Sequence, residues 1–226
     1  MFGERPTLYR KTLGVLAIAV AIVAATAVWL QIADLVNQGA FVWVEYFSYF
    51  TIITTVLNII ALLFGGFAAW SSERDTIFRT VVRQSLVTYG LISAGVYHLL
   101  LRDGLASHDA YVSADSWPMQ IFHTYVPAYL VIDWLINPYR RRSPWSPMIL
   151  VFVLPAMWLG FTLYRGQATG WYPYGFLDPT TEQGWPGVIQ HVALLALAIG
   201  VIHLLLLGAN RILHGTERRQ PVRVRQ

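Results

Sequence analysis

The chain has 226 residues, 56% hydrophobic and 12% charged, with a mean hydropathy of +0.50. A soluble domain carries about 25% charged residues, so the composition excludes an ordinary soluble enzyme and indicates an integral membrane protein. The formal charge of +4 is spread over separate loops rather than gathered in a patch, which argues against a nucleic-acid partner; the absence of cysteine excludes disulfides, a thiol nucleophile and a thiolate metal site.

Six apolar runs follow along the chain, roughly 13–32, 46–70, 80–101, 119–136, 147–164 and 186–207. Each is near the ~20 residues a helix needs to cross about 30 Å of hydrocarbon. None alternates as an outer-membrane strand would. The first run follows Arg5, Arg10 and Lys11 and ends near Ala25-Thr26-Ala27, but it exceeds the 7–15 residue core of a signal peptide and reads as a retained helix. The second run carries Ser48, Thr51, Thr55 and Asn58 at spacings that place them on one helical stripe. The third gathers Gln84, Thr88, Leu91, Gly95 and His98 on one arc, and the fourth does the same with Gln120, His123 and Pro127. Small and polar residues on one arc mark the inward face of a membrane bundle.

Asp133 lies ten residues beyond His123, about 15 Å along a helix, so the two side chains cannot meet. Asp133 is expected to form an ion pair with Arg83 or with the Arg140-Arg141-Arg142 run. After the fifth run comes an aromatic, turn-rich segment, Gly170-Trp171-Tyr172-Pro173-Tyr174-Gly175-Phe176-Leu177-Asp178-Pro179. It reads as an interfacial belt or as a lid over a cavity. The last run holds His191 and His203.

Of the 16 Lys and Arg, all but Arg102 and Arg165 fall in the N-terminal tail, the second and fourth loops and the C-terminal tail. The first, third and fifth loops are acidic. The positive-inside rule then predicts an all-α bundle of six transmembrane helices with both termini cytoplasmic, and the plasma (inner) membrane is the expected location. Residues 1–213 form a single domain, followed by a basic, disordered tail over 214–226 that suits anionic headgroups.

This orientation brings Thr51, His98, His123 and His191, from four helices, into one depth band near the outer surface. Each has a bland reading. Serine and threonine in membrane helices often bond the i−4 carbonyl. Asn58 can serve as a contact between helices, and His98, His191 and His203 as interfacial or packing residues.

Three blocks carry a resemblance. They are Tyr49-Phe50-Thr51 followed by Asn58, then His123-Thr124-Tyr125-Val126-Pro127, then Gly170-Trp171-Tyr172-Pro173 followed by Phe176-Leu177-Asp178. In their order and spacing, from about Tyr46 to about Asp178, the chain resembles the androgen-induced and androgen-dependent membrane hydrolases, which cleave fatty acid esters of hydroxy fatty acids. The resemblance implies Thr51 as nucleophile and His123 as its base, acting on a lipid ester from the bilayer without cofactor or metal. A threonine hydroxyl needs such a base, and histidine, with an unperturbed pKa of about 6.5, suits the task. Ser48, Thr55 and Tyr125 are candidate oxyanion donors, and Arg102 or Arg165 would hold a substrate carboxylate. Tyr172 belongs to the lid, and Asn58, His98 and His191 support the site. Two other readings compete: a histidine-ligated metal or haem protein, and a small transporter or scaffold. His191 and His203 lie about 18 Å apart along their helix, which weighs against the first, and the lack of an inverted repeat weighs against the second.

Overall fold

The computed structural model describes residues 6–71, 74–101 and 116–217. The described residues form helices and turns, with no strand among them. The helices are α1 (Leu8–Asn37), α2 (Trp43–Tyr46), α3 (Phe50–Ser71), α4 (Ile77–Val96), α5 (Trp117–Gln120), α6 (Val126–Ile136), α7 (Val153–Thr169) and α8 (Gly184–Glu217). A π-turn over Tyr97–Leu101 continues α4, and a second over Ile121–Tyr125 joins α5 to α6. A 3-10 turn over Ser146–Phe152 leads into α7.

Among the described residues, four helices are long and apolar enough to cross a membrane: Leu8–Asn37, Phe50–Ser71, Met148–Thr169 and Gly184–Leu213. They fit an integral membrane protein. The third and fourth apolar runs also fold as helix, but they differ from the other four for visible reasons. The helix α4 opens with Arg79, Arg83 and Gln84, and the run from Trp117 to Ile136 is divided by its π-turn.

The seam between α1 and α3 is the most extensive helix contact. It follows from small residues: Gly14, Ala17, Ala21, Ala24 and Ala27 all lie buried on one side of α1. A Cβ added at Gly14 would sit 2.7 Å from Ala69 Cβ and 2.8 Å from the Gly66 carbonyl. Without a hydrophobic drive between helices in lipid, such close backbone approach supplies the packing energy.

Helix α4 lies at the centre, touching α3, α6 and α8. Thr80, Gln84, Val87 and Thr88 are fully buried in it. Gln84 and Thr88 face α8, where the Gln84 amide lies 3.2 Å from His203 Nε2 and Thr88 Oγ1 lies 3.1 Å from Nδ1. This engages both nitrogens of His203 in packing.

One end of the bundle is basic. Arg10 bonds Asp75 at 2.8 Å, Asp75 also faces Arg83 at 3.7 Å, and Arg83 pairs with Asp133. The expected ion pair of Asp133 thus goes to Arg83. Asn210 on α8 accepts from the Ser143 amide at 2.8 Å, which ties the chain after α6 to α8 at the same end. At the opposite end, Arg165 faces Glu45 at 3.9 Å and lies over the Trp171 ring at 4.4 Å.

Candidate functional site

The second apolar run is not one helix. It breaks after α2, and α3 begins only at Phe50. Ser48 therefore precedes the helix instead of heading its polar stripe. Its hydroxyl donates to the Val44 carbonyl at 2.6 Å, and its carbonyl accepts from the Trp158 indole at 2.8 Å. Thr51 then falls in the first turn of α3.

Two threonines three residues apart behave differently. Thr54 bonds back to the Phe50 carbonyl at 2.9 Å, the usual use of threonine in a membrane helix. The Thr51 hydroxyl instead reaches across to two other helices. It lies 2.7 Å from Ser93 Oγ on α4 and 3.2 Å from His123 Nε2. All three residues are buried.

The proton positions follow from the partners. His123 Nδ1 lies 3.0 Å from the Met119 carbonyl, which can only accept. Nδ1 therefore carries the proton, and in the neutral ring Nε2 is the acceptor. Thr51 then donates to Nε2, and Ser93 donates to the Thr51 oxygen. This is the arrangement of a hydroxyl nucleophile, its base, and a group that orients the base. The orienting group is a main-chain carbonyl rather than a carboxylate. Tyr97 completes the support: its ring stacks on His123 with centroids 4.2 Å apart and planes 16° apart.

Pro127 explains how His123 is presented. Proline has no amide hydrogen, so it cannot bond the His123 carbonyl four residues back, and its ring crowds that carbonyl. The helix accommodates this by a π-turn, in which the Val126 amide bonds the Ile121 carbonyl five residues back. Tyr97 comes from the other π-turn, so two such turns face one another across the site. Single π-turns recur at functional sites.

Thr51 and Ser93 also form part of the wall of a cavity of about 210 Å³ between α3, α4, α7 and α8. The wall is otherwise almost wholly apolar: Pro155, Ala156 and Leu159 face it from α7, and Leu195, Ala196 and Ile199 from α8. Ala156 and Ala196 are also exposed on the outside of the bundle. The cavity therefore meets the lipid-facing surface between two small residues.

The loop between α7 and α8 closes the other side. Tyr174, Phe176 and Leu177 line the cavity. Tyr174 meets Tyr49 edge-on at 5.6 Å and stacks on Phe176 at 5.3 Å, and Phe176 stacks on His191 at 5.4 Å. Burial pushes the Tyr174 phenol up from its ordinary pKa, opposed by hydrogen bonds with the Thr51 side chain and the Phe50 and Thr51 backbone.

The remaining candidates take other places. Thr55 is buried in α3, and Asn58 faces a second cavity farther along the bundle. His98 Nε2 lies 3.0 Å from Thr124 Oγ1, beside the site rather than in it. His191 Nδ1 lies 2.8 Å from the Gly187 carbonyl. Tyr125 is 66% exposed on the outside of the bundle, away from the cavity wall. Tyr172 is buried over Gly166, where an added Cβ would meet its ring at 2.0 Å, and is not in the cavity wall. Arg165 is held by Glu45 and Trp171, and Arg102 lies outside the described residues.

Among the described residues, no group of three or more His, Asp or Glu has the placement to hold a metal ion. Sequence reasoning missed Ser93 and Tyr174. The pattern of α4 held a clue to Ser93, because polar residues on several faces indicate a helix buried all round. Nothing distinguished Tyr174 from the aromatic residues beside it. No protein-family model, curated protein or solved structure matches this chain.

Proposed function

We propose that the chain is an integral membrane hydrolase of lipid esters, with Thr51 as nucleophile and His123 as base. The observation that carries this reading is the Thr51 Oγ1 to His123 Nε2 approach of 3.2 Å at the wall of an apolar cavity, with Nδ1 engaged by a carbonyl.

The steps balance without a cofactor. Thr51 Oγ1 attacks the ester carbonyl carbon while its proton passes to His123 Nε2. The tetrahedral oxyanion collapses, the ester C–O bond breaks, and the departing alkoxide takes the proton from Nε2. This leaves an acyl-threonine and a free alcohol. Water then attacks the acyl carbon, delivers its proton to Nε2, and releases the carboxylic acid with Thr51 restored. The first-turn amides of Phe50 and Thr51 are the oxyanion donors in this reading, because the first amides of a helix have no partner within it.

The substrate is an acyl ester whose chain enters laterally between Ala156 and Ala196. At about 30 Å³ for a water-sized group, a 210 Å³ cavity accepts roughly seven such groups, the scale of part of one acyl chain. Fatty acid esters of hydroxy fatty acids fit this class and agree with the sequence resemblance. The accompanying topology is six spans in the inner membrane, with the basic end cytoplasmic and the site in the outer half of the bilayer.

A fluorophosphonate probe tests the reading in purified protein. The expected adduct is on Thr51, with labelling lost in Thr51→Ala and His123→Ala. Hydrolysis of a branched fatty ester should fall roughly 10²- to 10⁴-fold in His123→Ala, the usual worth of a positioned base. Undiminished labelling and hydrolysis in both variants would overturn it.

A further inference from the structure

A second cavity of about 790 Å³ occupies the basic half of the bundle, between α1, α3, α4, α6 and the segment leading into α7. Its two ends differ in chemistry. Arg10, Asp75, Arg79 and Arg83 line one end. The walls beyond are apolar, with Leu57 and Ala61 from α3, Leu86 from α4 and Leu130 from α6 among them. At the mouth stand Phe64, Phe78 and Leu150, which are 70%, 76% and 53% exposed on the outer surface of the bundle.

The charges at the polar end do not cancel. Asp75 is shared by Arg10 and Arg83, and Asp133, behind the wall, pairs with Arg83. Among the described residues, the three guanidinium groups that line this end thus face two carboxylates. Arg79 has no ion pair with any described residue, and it is half-buried. Excess positive charge away from bulk water is costly unless an anion matches it. Guanidinium groups match phosphate oxygens in a bidentate manner.

The length of the cleft selects the kind of anion. It follows α3 from Leu57 to Ala69, twelve residues or about 18 Å at 1.5 Å per residue. One leaflet of a bilayer is about half of the 30 Å hydrocarbon core. An inorganic anion would satisfy the arginines and leave this apolar wall uncovered.

We infer that the cleft binds one anionic phospholipid, its phosphate at Arg10, Arg79 and Arg83 and an acyl chain along α3 toward Asn58. The inference does not rest on the hydrolase reading, since none of its residues touches Thr51 or His123.

The test uses the full chain in nanodiscs of equimolar phosphatidylglycerol and phosphatidylcholine, followed by native mass spectrometry of gently extracted protein. The expected result is one retained lipid per chain, with phosphatidylglycerol favoured roughly tenfold, a difference of about 1.4 kcal/mol. Arg79→Gln stands outside the Arg10–Asp75–Arg83–Asp133 chain of ion pairs and should erase the preference while the protein stays folded. Gly65→Leu should lower retention of both lipids, because a Cβ at Gly65 meets nothing within 4 Å and the side chain grows into the cleft. Thr51→Ala should retain the lipid as the parent does. Equal retention of the two lipids by the parent, a preference untouched by Arg79→Gln, retention undiminished by Gly65→Leu, or displacement by excess inorganic phosphate would overturn the inference.

Discussion

Thr51 and Thr54 have the same side chain on the same helix, and their surroundings separate them. Thr54 closes a bond within α3, whereas Thr51 spends its hydroxyl on Ser93 and His123. On the proposed hydrolase reading Ser93 is a positioning residue, donating to the Thr51 oxygen. Ser93→Ala should lower kcat roughly two- to tenfold, the worth of one neutral hydrogen bond, and leave fluorophosphonate labelling on Thr51. On the proposed reading the Tyr174 hydroxyl acts in the opposite sense, because it shares the cavity wall with the first turn of α3, whose amides the oxyanion needs. Tyr174→Phe should raise kcat/KM by a similar factor, measured with a short-chain ester; a fall instead would make Tyr174 itself the oxyanion donor. At this scale the sequence was partly legible. Loop charges put Thr51 and His123 at one depth, and the structure has them in hydrogen-bond reach. Ser48 was misplaced because its helix breaks before Phe50, which no glycine or proline announces.

Elements carry their own consequences. The π-turn before α6 exists because Pro127 cannot bond the His123 carbonyl, and it sets the direction of the imidazole. Pro127→Ala permits a regular helix, which turns each residue by about 100°, so loss of one extra residue swings His123 away from Thr51. The expected outcome is a large loss of esterase activity with thermal stability unchanged or raised, read by activity and by a melting curve on one preparation. The α1–α3 seam responds to volume instead. Gly14→Ala should destabilise by about 1–3 kcal/mol through backbone clash, while Gly160→Ala, where an added Cβ meets nothing within 4 Å, should not. Periodicity and length were enough to locate helices near all six apolar runs. They did not show the π-turns, because a one-residue insertion in a helix leaves hydrophobic spacing almost unchanged over a single turn.

Across the whole molecule, polar chemistry is divided between two ends. The basic end is held by ion pairs among α1, α4 and α6, and the opposite half holds Thr51, His123 and the aromatic loop. Asp133→Leu leaves Arg83 with Asp75 alone, already shared with Arg10, and should cost about 3–5 kcal/mol; Asp133→Leu with Arg83→Met should recover much of it. Thermal unfolding in detergent measures both, and equal melting of the single and double variants would refute the pairing. The ion pair of Asp133 was legible because ten helical residues excluded His123 as a partner. The anionic-lipid cleft was not, since its walls come from segments far apart in the chain. The proposed catalytic set is equally scattered, over Thr51, Ser93, His123 and Tyr174, and this order has a bearing on biosynthesis. A ribosome delivers the nucleophile first, its base some seventy residues later and the covering tyrosine last. On the proposed reading the nascent chain is inert while it is being inserted, and esterase activity begins only when the last apolar run has closed the cavity.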